Sequence, residues 1–245
     1  METQKTFPIS SSLSVAPGGR TICIRPKTIL SIQLAAIFIL LILNLLGIYL
    51  SLFTEVAFAK THRLVDFNQE ANIPTFYSSL VMVLCSLLLF VITALTKKAG
   101  TGYWCWLWLG MIFLFLSFDE AAAIHEIFIG ITKRTFNLSG YFNYAWVVPY
   151  GLGVLVLAGL YIPFLRSLPR HTLLLFLVSG VVFVAGAIGL EMIGGNAHES
   201  QGAAGLYAVI YTLEELLEML GMALFLYALL DYLSENFDFN VRVGK

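Results

Sequence analysis

Charge is what this chain has least of. Only 12% of its 245 residues are Asp, Glu, Lys or Arg, about half the ~25% of an ordinary globular domain. The net charge is −1, so no basic surface points to nucleic acid. Cysteine is scarce too. Cys23, Cys85 and Cys105 show neither CxxC nor paired spacing, which argues against a disulfide framework and a zinc ribbon. Glu-x-x-His and His-Glu-x-x-His are both missing. That leaves a poor match to ferritin-type di-iron sites and none to zincins. Strict alternation of apolar and polar residues is absent, which argues against a β-barrel. There is almost no amphipathic helix to cover a soluble core.

What the chain has instead is apolar sequence, at 59% hydrophobic residues. Six runs cover about 29–53, 76–96, 103–127, 144–165, 172–193 and 205–232. Each can cross a hydrocarbon core of about 30 Å, which takes about 20 helical residues. The predicted fold class is therefore all-α, a polytopic membrane bundle of six transmembrane helices. Residues 1–28 read as a flexible cytoplasmic tail, 29–232 as the membrane domain and 233–245 as a second cytoplasmic tail. Ala57-Phe58-Ala59 resembles a signal-peptide cleavage site, but a signal h-region is only about 7–15 residues long. The first run is read as a retained span.

Placing both termini inside puts ten Lys and Arg residues on the inner side and four on the outer. The positive-inside rule thus predicts cytoplasmic termini. Tyr103, Trp104, Trp106 and Trp108 would mark the inner interface of the third span, and Tyr141, Tyr144 and Trp146 the outer interface of the fourth. Gly180, Ala185, Gly186, Ala187 and Gly189 suit close packing of the fifth.

Against this background three stretches are anomalous. Asp119-Glu120 with His125-Glu126, Glu191 with His198-Glu199, and Glu214-Glu215 with Glu218 place eight acids and two histidines deep in apolar runs, with no Lys or Arg. Each charge near a bilayer centre costs roughly 2.5–3.5 kcal/mol on insertion scales. At ~1.5 Å per residue, Asp119, Glu191, Glu214 and Glu218 lie about 21–28 Å from the inner helix ends, in one outer layer. A continuous helix would put Asp119, Ala122, Ala123 and Glu126 on one face. Tyr207, Tyr211, Glu214 and Glu218 would share another stripe, with Glu215 at its margin. Gly194-Gly195-Asn196 is expected to end the fifth span, leaving His198 and Glu199 as a cap.

An oxygen-rich site with imidazoles suits Zn, Mn, Fe, Ca or Mg. The leading reading is a metal site of Asp119, Glu126, Glu191, His198, Glu214 and Glu218, with His125 and Glu199 as further candidates. Glu120 or Glu215 would be the acid/base. The chain would then be a metal-dependent enzyme acting on a membrane lipid or a small periplasmic substrate. One alternative is a proton- or cation-coupled transporter using the same acids as a relay, though few polar residues lie deeper. Another is a non-catalytic scaffold or assembly factor. Tyr211 fits packing better than acid catalysis. Gln33 and Asn44 are expected to hydrogen-bond between helices. Residues 67–75, with Pro74 and Thr75, are expected to cap the second span, Glu70 being an extra candidate ligand. Asn137-Leu138-Ser139 fits a glycosylation sequon.

Three phrases together resemble a group of uncharacterised bacterial multi-span membrane proteins. They are Glu70-Ala71-Asn72-Ile73-Pro74-Thr75, Phe118-Asp119-Glu120-Ala121 leading to His125-Glu126, and Glu214-Glu215-Leu216-Leu217-Glu218-Met219-Leu220-Gly221. The resemblance implies a six-helix protein of the bacterial inner membrane. It brings no activity, substrate or cofactor.

Overall fold

Six helical segments long and apolar enough to cross a membrane carry the fold. The computed structural model describes residues 21–22, 25–51, 62–136, 138–199, 204–237 and 241–242. Most of the predicted N-terminal tail, Cys23, Glu55, the Ala57-Phe58-Ala59 motif, Asn137 of the sequon, and residues 238–240 and 243–245 of the C-terminal tail lie outside the described residues. In order, the elements are β1 (Thr21–Ile22), α1 (Pro26–Ser51), α2 (Ile73–Lys98), α3 (Trp104–Ala122) and α4 (Ile124–Phe136). A short 3₁₀ turn (Gly140–Phe142), α5 (Val147–Ser167) and α6 (Arg170–Val184) follow. A π-helical turn (Ala185–Leu190) leads into α7 (Glu191–Glu199), then α8 (Ala204–Asn236) and β2 (Val241–Arg242). The spans are α1, α2, α3, α5, the continuous α6–π–α7 rod and α8. Thr21 pairs with Arg242 and Ile22 with Val241 in an antiparallel bridge. Both terminal segments therefore meet at one end of the bundle, called here the terminal end.

The last span is the axis. Met219, Met222, Ala223, Phe225, Leu226, Ala228, Leu229 and Leu233 of α8 are all buried. A helix apolar all round belongs in the middle of a bundle. It meets α2 through Val81, Met82, Cys85, Leu89 and Ile92, and α6 through Phe176. On its other side Met219 and Ala223 meet Ile37 and Leu40 of α1. Lipid tails are as apolar as leucine, so packing and hydrogen bonds must hold such helices together. The close approaches are made at glycine. A Cβ at Gly221 would lie 2.7 Å from the backbone nitrogen of Phe183, and one at Gly186 would lie 2.8 Å from the Glu214 carbonyl oxygen.

Polar ties supplement the packing. Ser79 Oγ donates to the Ser117 carbonyl at 2.9 Å, and Ser117 Oγ returns a bond to Ser79 at 3.0 Å. Asn44 is fully buried. Its amide donates to Thr212 Oγ1 at 3.2 Å, and its oxygen accepts the Phe67 N–H at 3.1 Å. Gln33 accepts from Tyr77 OH at 3.3 Å. Both span-one amides thus bridge helices, as expected. Asn72 caps α2, accepting the Thr75 N–H at 3.1 Å. Its amide gathers the Asp66 and Gln69 carbonyls, each at 2.7 Å.

One helix stands apart. α5 is the least buried of the six spans and carries Pro163 in its interior. Side-chain hydrogen bonds hold it near its two ends, leaving its middle over a cavity.

Two expectations fail here. Gly194 and Gly195 do not end the fifth span, which continues to Glu199. They admit neighbours instead: a Cβ at Gly194 would meet Ile210 at 3.3 Å, and one at Gly195 would meet Tyr144 at 3.1 Å. The third span also stops earlier than 127, because Ala123 adopts φ 50°, ψ 42° and breaks the helix.

Two substitutions test this packing. Gly221→Val should lower the thermal midpoint in detergent, costing about 1–3 kcal/mol as overpacking does. Asn44→Leu should cost about 1 kcal/mol, since it strands the Phe67 N–H and the Thr212 hydroxyl.

Candidate acid-lined site

The break at Ala123 creates the first half of the site. A non-glycine residue in the left-handed region costs roughly 1–2 kcal/mol, so something must hold it there. Asp119 does: its Oδ1 accepts the His125 N–H at 2.7 Å, capping the first turn of α4. The same oxygen accepts from Tyr150 OH at 3.0 Å and lies 3.5 Å from His125 Nδ1. On the other side of the imidazole, His125 Nε2 lies 3.2 Å from Glu70 Oε1. Burial alone would disfavour a charged His125, but hydrogen bonds and charge from Asp119 and Glu70 outweigh it. They push the imidazole up to about 10. Two flanking carboxylates thus favour the charged form of His125.

The second half lies on α7 and α8. The π-helical turn widens the helix immediately before Glu191, and such turns recur at functional positions. Glu191 Oε1 accepts from Trp146 Nε1 at 2.9 Å. Glu214 of α8 lines the same cavity as Glu191. Trp146 joins the halves, for its ring also lies 4.9 Å from that of His125. Tyr144 and Tyr207 meet hydroxyl to hydroxyl at 3.0 Å beside them.

One cavity of about 930 Å³ connects these groups. Asp119, Glu120, His125, Glu126, Glu191, Glu214, Glu215 and Glu218 all line it, as do Glu70, Tyr144, Trp146, Tyr150, Tyr207 and Tyr211. Among the described residues that line it there is no Lys or Arg. Below Glu218 the walls become mainly apolar, with Leu109, Phe113, Phe164, Phe176 and Phe225 beside Tyr161 and Ser179.

Not every predicted site residue is brought in. Glu126 is exposed at the rim, because the break puts it on a different helix from Asp119. The shared face expected for these two acids does not form. His198 and Glu199 are exposed and do not line the cavity. His198 lies against the Tyr207 ring at 5.1 Å, while Glu199 accepts the Gly140 N–H and ties α7 to the 3₁₀ turn. Sequence reasoning gave Glu70 only a minor place and read Tyr144 and Trp146 as an interface belt. The missed signal is spacing: Trp146, Tyr150, Val154, Leu157 and Tyr161 recur every three or four residues and all line the cavity.

Among the described residues, one group of three His, Asp or Glu side chains lies close enough to hold a metal ion, and it is not among the cavity acids. It is His171, Asp231 and Glu235, whose donor atoms all lie within 4.8 Å of one another. His171 Nε2 lies 3.2 Å from Asp231 Oδ2. This group is at the terminal end, away from the cavity acids. His171 and Glu235 are exposed, as in an ordinary surface ion pair.

Fold and site together define a multi-pass helical membrane protein with an acid-lined cavity. The chain belongs to the family described as Domain of unknown function (DUF8692), which matches residues 34–233 and so takes in every acid of the cavity. No curated protein and no solved structure matches it.

The His125 cluster predicts a pH dependence. An imidazole raised from 6.5 to about 10 contributes stability that is complete below about pH 6.5 and disappears as pH rises through about 10. The thermal midpoint should fall between those limits. His125→Gln should be less stable at pH 6 and should flatten that slope, which thermal unfolding in detergent will read.

Proposed function

We propose that the acids of this cavity hold a divalent cation and that the chain is a membrane-embedded, metal-dependent enzyme of the hydrolase or transferase type. One observation carries the reading. Glu120, Glu191, Glu214, Glu215 and Glu218 line a single cavity whose one histidine, His125, is already matched by Asp119 and Glu70. Five carboxyl groups without a basic partner need protons or a metal, and a bound cation neutralises them most directly.

Glu191, Glu214 and Glu218 are the ligands in this proposal. Oxygen donors of this kind favour Ca, Mg or Mn over Zn. A cation held there would polarise an ester or phosphoryl oxygen and ease deprotonation of a water. Glu120 or Glu215 takes the proton from the attacking water and returns one to the leaving oxygen. Asp119 positions His125 instead of binding the metal, and Trp146 and Tyr150 orient Glu191 and Asp119. The inner excess of Lys and Arg supports facing this end away from the cytoplasm. A lipid and a small periplasmic molecule both fit this chemistry. The relay alternative has less support, because the walls below Glu218 are mainly apolar.

Metal analysis of the purified protein after equilibration with Mn or Ca tests the proposal. Near-stoichiometric metal is expected, falling at least about tenfold in Glu191→Gln and Glu218→Gln, as when a carboxylate ligand is lost. A folded wild-type protein that retains no metal would overturn it.

A further inference from the structure

We infer that the cavity binds a lipid, with an alkyl chain in its apolar arm and a head bearing hydroxyl groups among the acids. This rests on reading the acids as a functional site, and it narrows the substrate class of that site.

Size is the first argument. At about 930 Å³ the cavity stands near the top of the ~300–1,000 Å³ range of ligand pockets. A small polar substrate would occupy only the acidic end. The remainder is walled mainly by Phe113, Phe164, Phe176 and Phe225; the hydroxyls of Tyr161 and Ser179 on the same lining already donate to the Cys105 and Phe176 carbonyls. Ordered water needs two to four polar partners, which such a wall does not supply. An alkyl chain needs none.

Access is the second argument. Leu177 and Val181 of α6 line the cavity yet are 45% and 66% exposed. Gly180 lies beside them on the same wall, and a Cβ there would meet nothing within 4 Å. The same holds for Gly189 higher up. These two glycines differ from Gly186 and Gly221, where a Cβ would strike a neighbouring helix. They keep a wall open beside α5, the span with the least protein around it. A chain can therefore slide in sideways from the bilayer.

The head group follows from charge. No Lys or Arg lines the cavity among the described residues, and His125 is matched by two carboxylates. A phosphate would meet like charge wherever the acids hold no metal, whereas hydroxyl hydrogens meet carboxylate acceptors in either state.

The test uses the full chain in detergent and a monoacylglycerol with a photoactivatable group at the end of a palmitoyl chain. Under chelator, adducts should fall on peptides containing Phe113 or Phe225. Monopalmitin should compete for them, and palmitoyl lysophosphatidic acid should compete much less. Gly180→Phe should cut labelling at least about tenfold, as when two methylenes no longer fit. Gly189→Leu serves as a second variant should the first fail to fold. Adducts confined to the outward residues Leu155 and Leu160 would overturn the inference, as would labelling unchanged in a folded Gly180→Phe. Equal competition by the phosphate lipid would overturn the head-group assignment. Metal content reads the proposed chemistry separately. Gly180→Phe should keep its metal.

Discussion

Carboxyl groups in a membrane interior must be neutralised, and this molecule supplies very little to do it with. The one imidazole among the described residues that line the cavity, His125, lies between Asp119 and Glu70. The glutamates across the cavity receive only neutral donors from the protein, such as the Trp146 indole on Glu191. The arrangement of the site end follows from this shortage. Aromatic residues with a polar hydrogen face the acids, while aliphatic side chains of the same helices face lipid. Among the described residues, no Lys or Arg lines the cavity.

The irregular backbone is concentrated at the same place. The left-handed Ala123 follows Asp119 by four residues, and the π-helical turn ends immediately before Glu191. Ala71, also at positive φ, follows Glu70. Non-ideal backbone within a membrane is tolerated where it is buried in protein or lines a cavity. Here each irregularity borders a residue whose carboxyl group lines the cavity. Strain of this kind persists only where surrounding contacts fix it, and the Asp119 cap on His125 is one such contact.

Much of the architecture was legible in the sequence. Hydropathy exposes six spans because a bilayer demands long uninterrupted apolar helices. Depth counting put Asp119, Glu191, Glu214 and Glu218 in one layer because the rise per residue is constant. The break at Ala123 was not legible, since alanine is the best helix former and no Gly or Pro marks the site. Gly194-Gly195 misled for the opposite reason: glycine signals both a helix end and a close approach, and only the neighbours decide. The pairing of Glu70 with His125 joins a loop to a distant helix, which no periodicity reports. The cavity itself was invisible, for it consists of where side chains are not.

The standing-off of α5 has a consequence for the energetics of the whole protein. Its inner face makes few hydrophobic contacts, and three hydrogen bonds hold it across the gap. They run from Trp146 to Glu191, from Tyr150 to Asp119, and from Tyr161 to the Cys105 carbonyl. Whatever fills the gap supplies the packing that the polypeptide omits, so the occupant becomes part of the hydrophobic core. Folding and occupancy are then thermodynamically linked, and the composition of the surrounding bilayer helps to set how firmly the fourth span is attached.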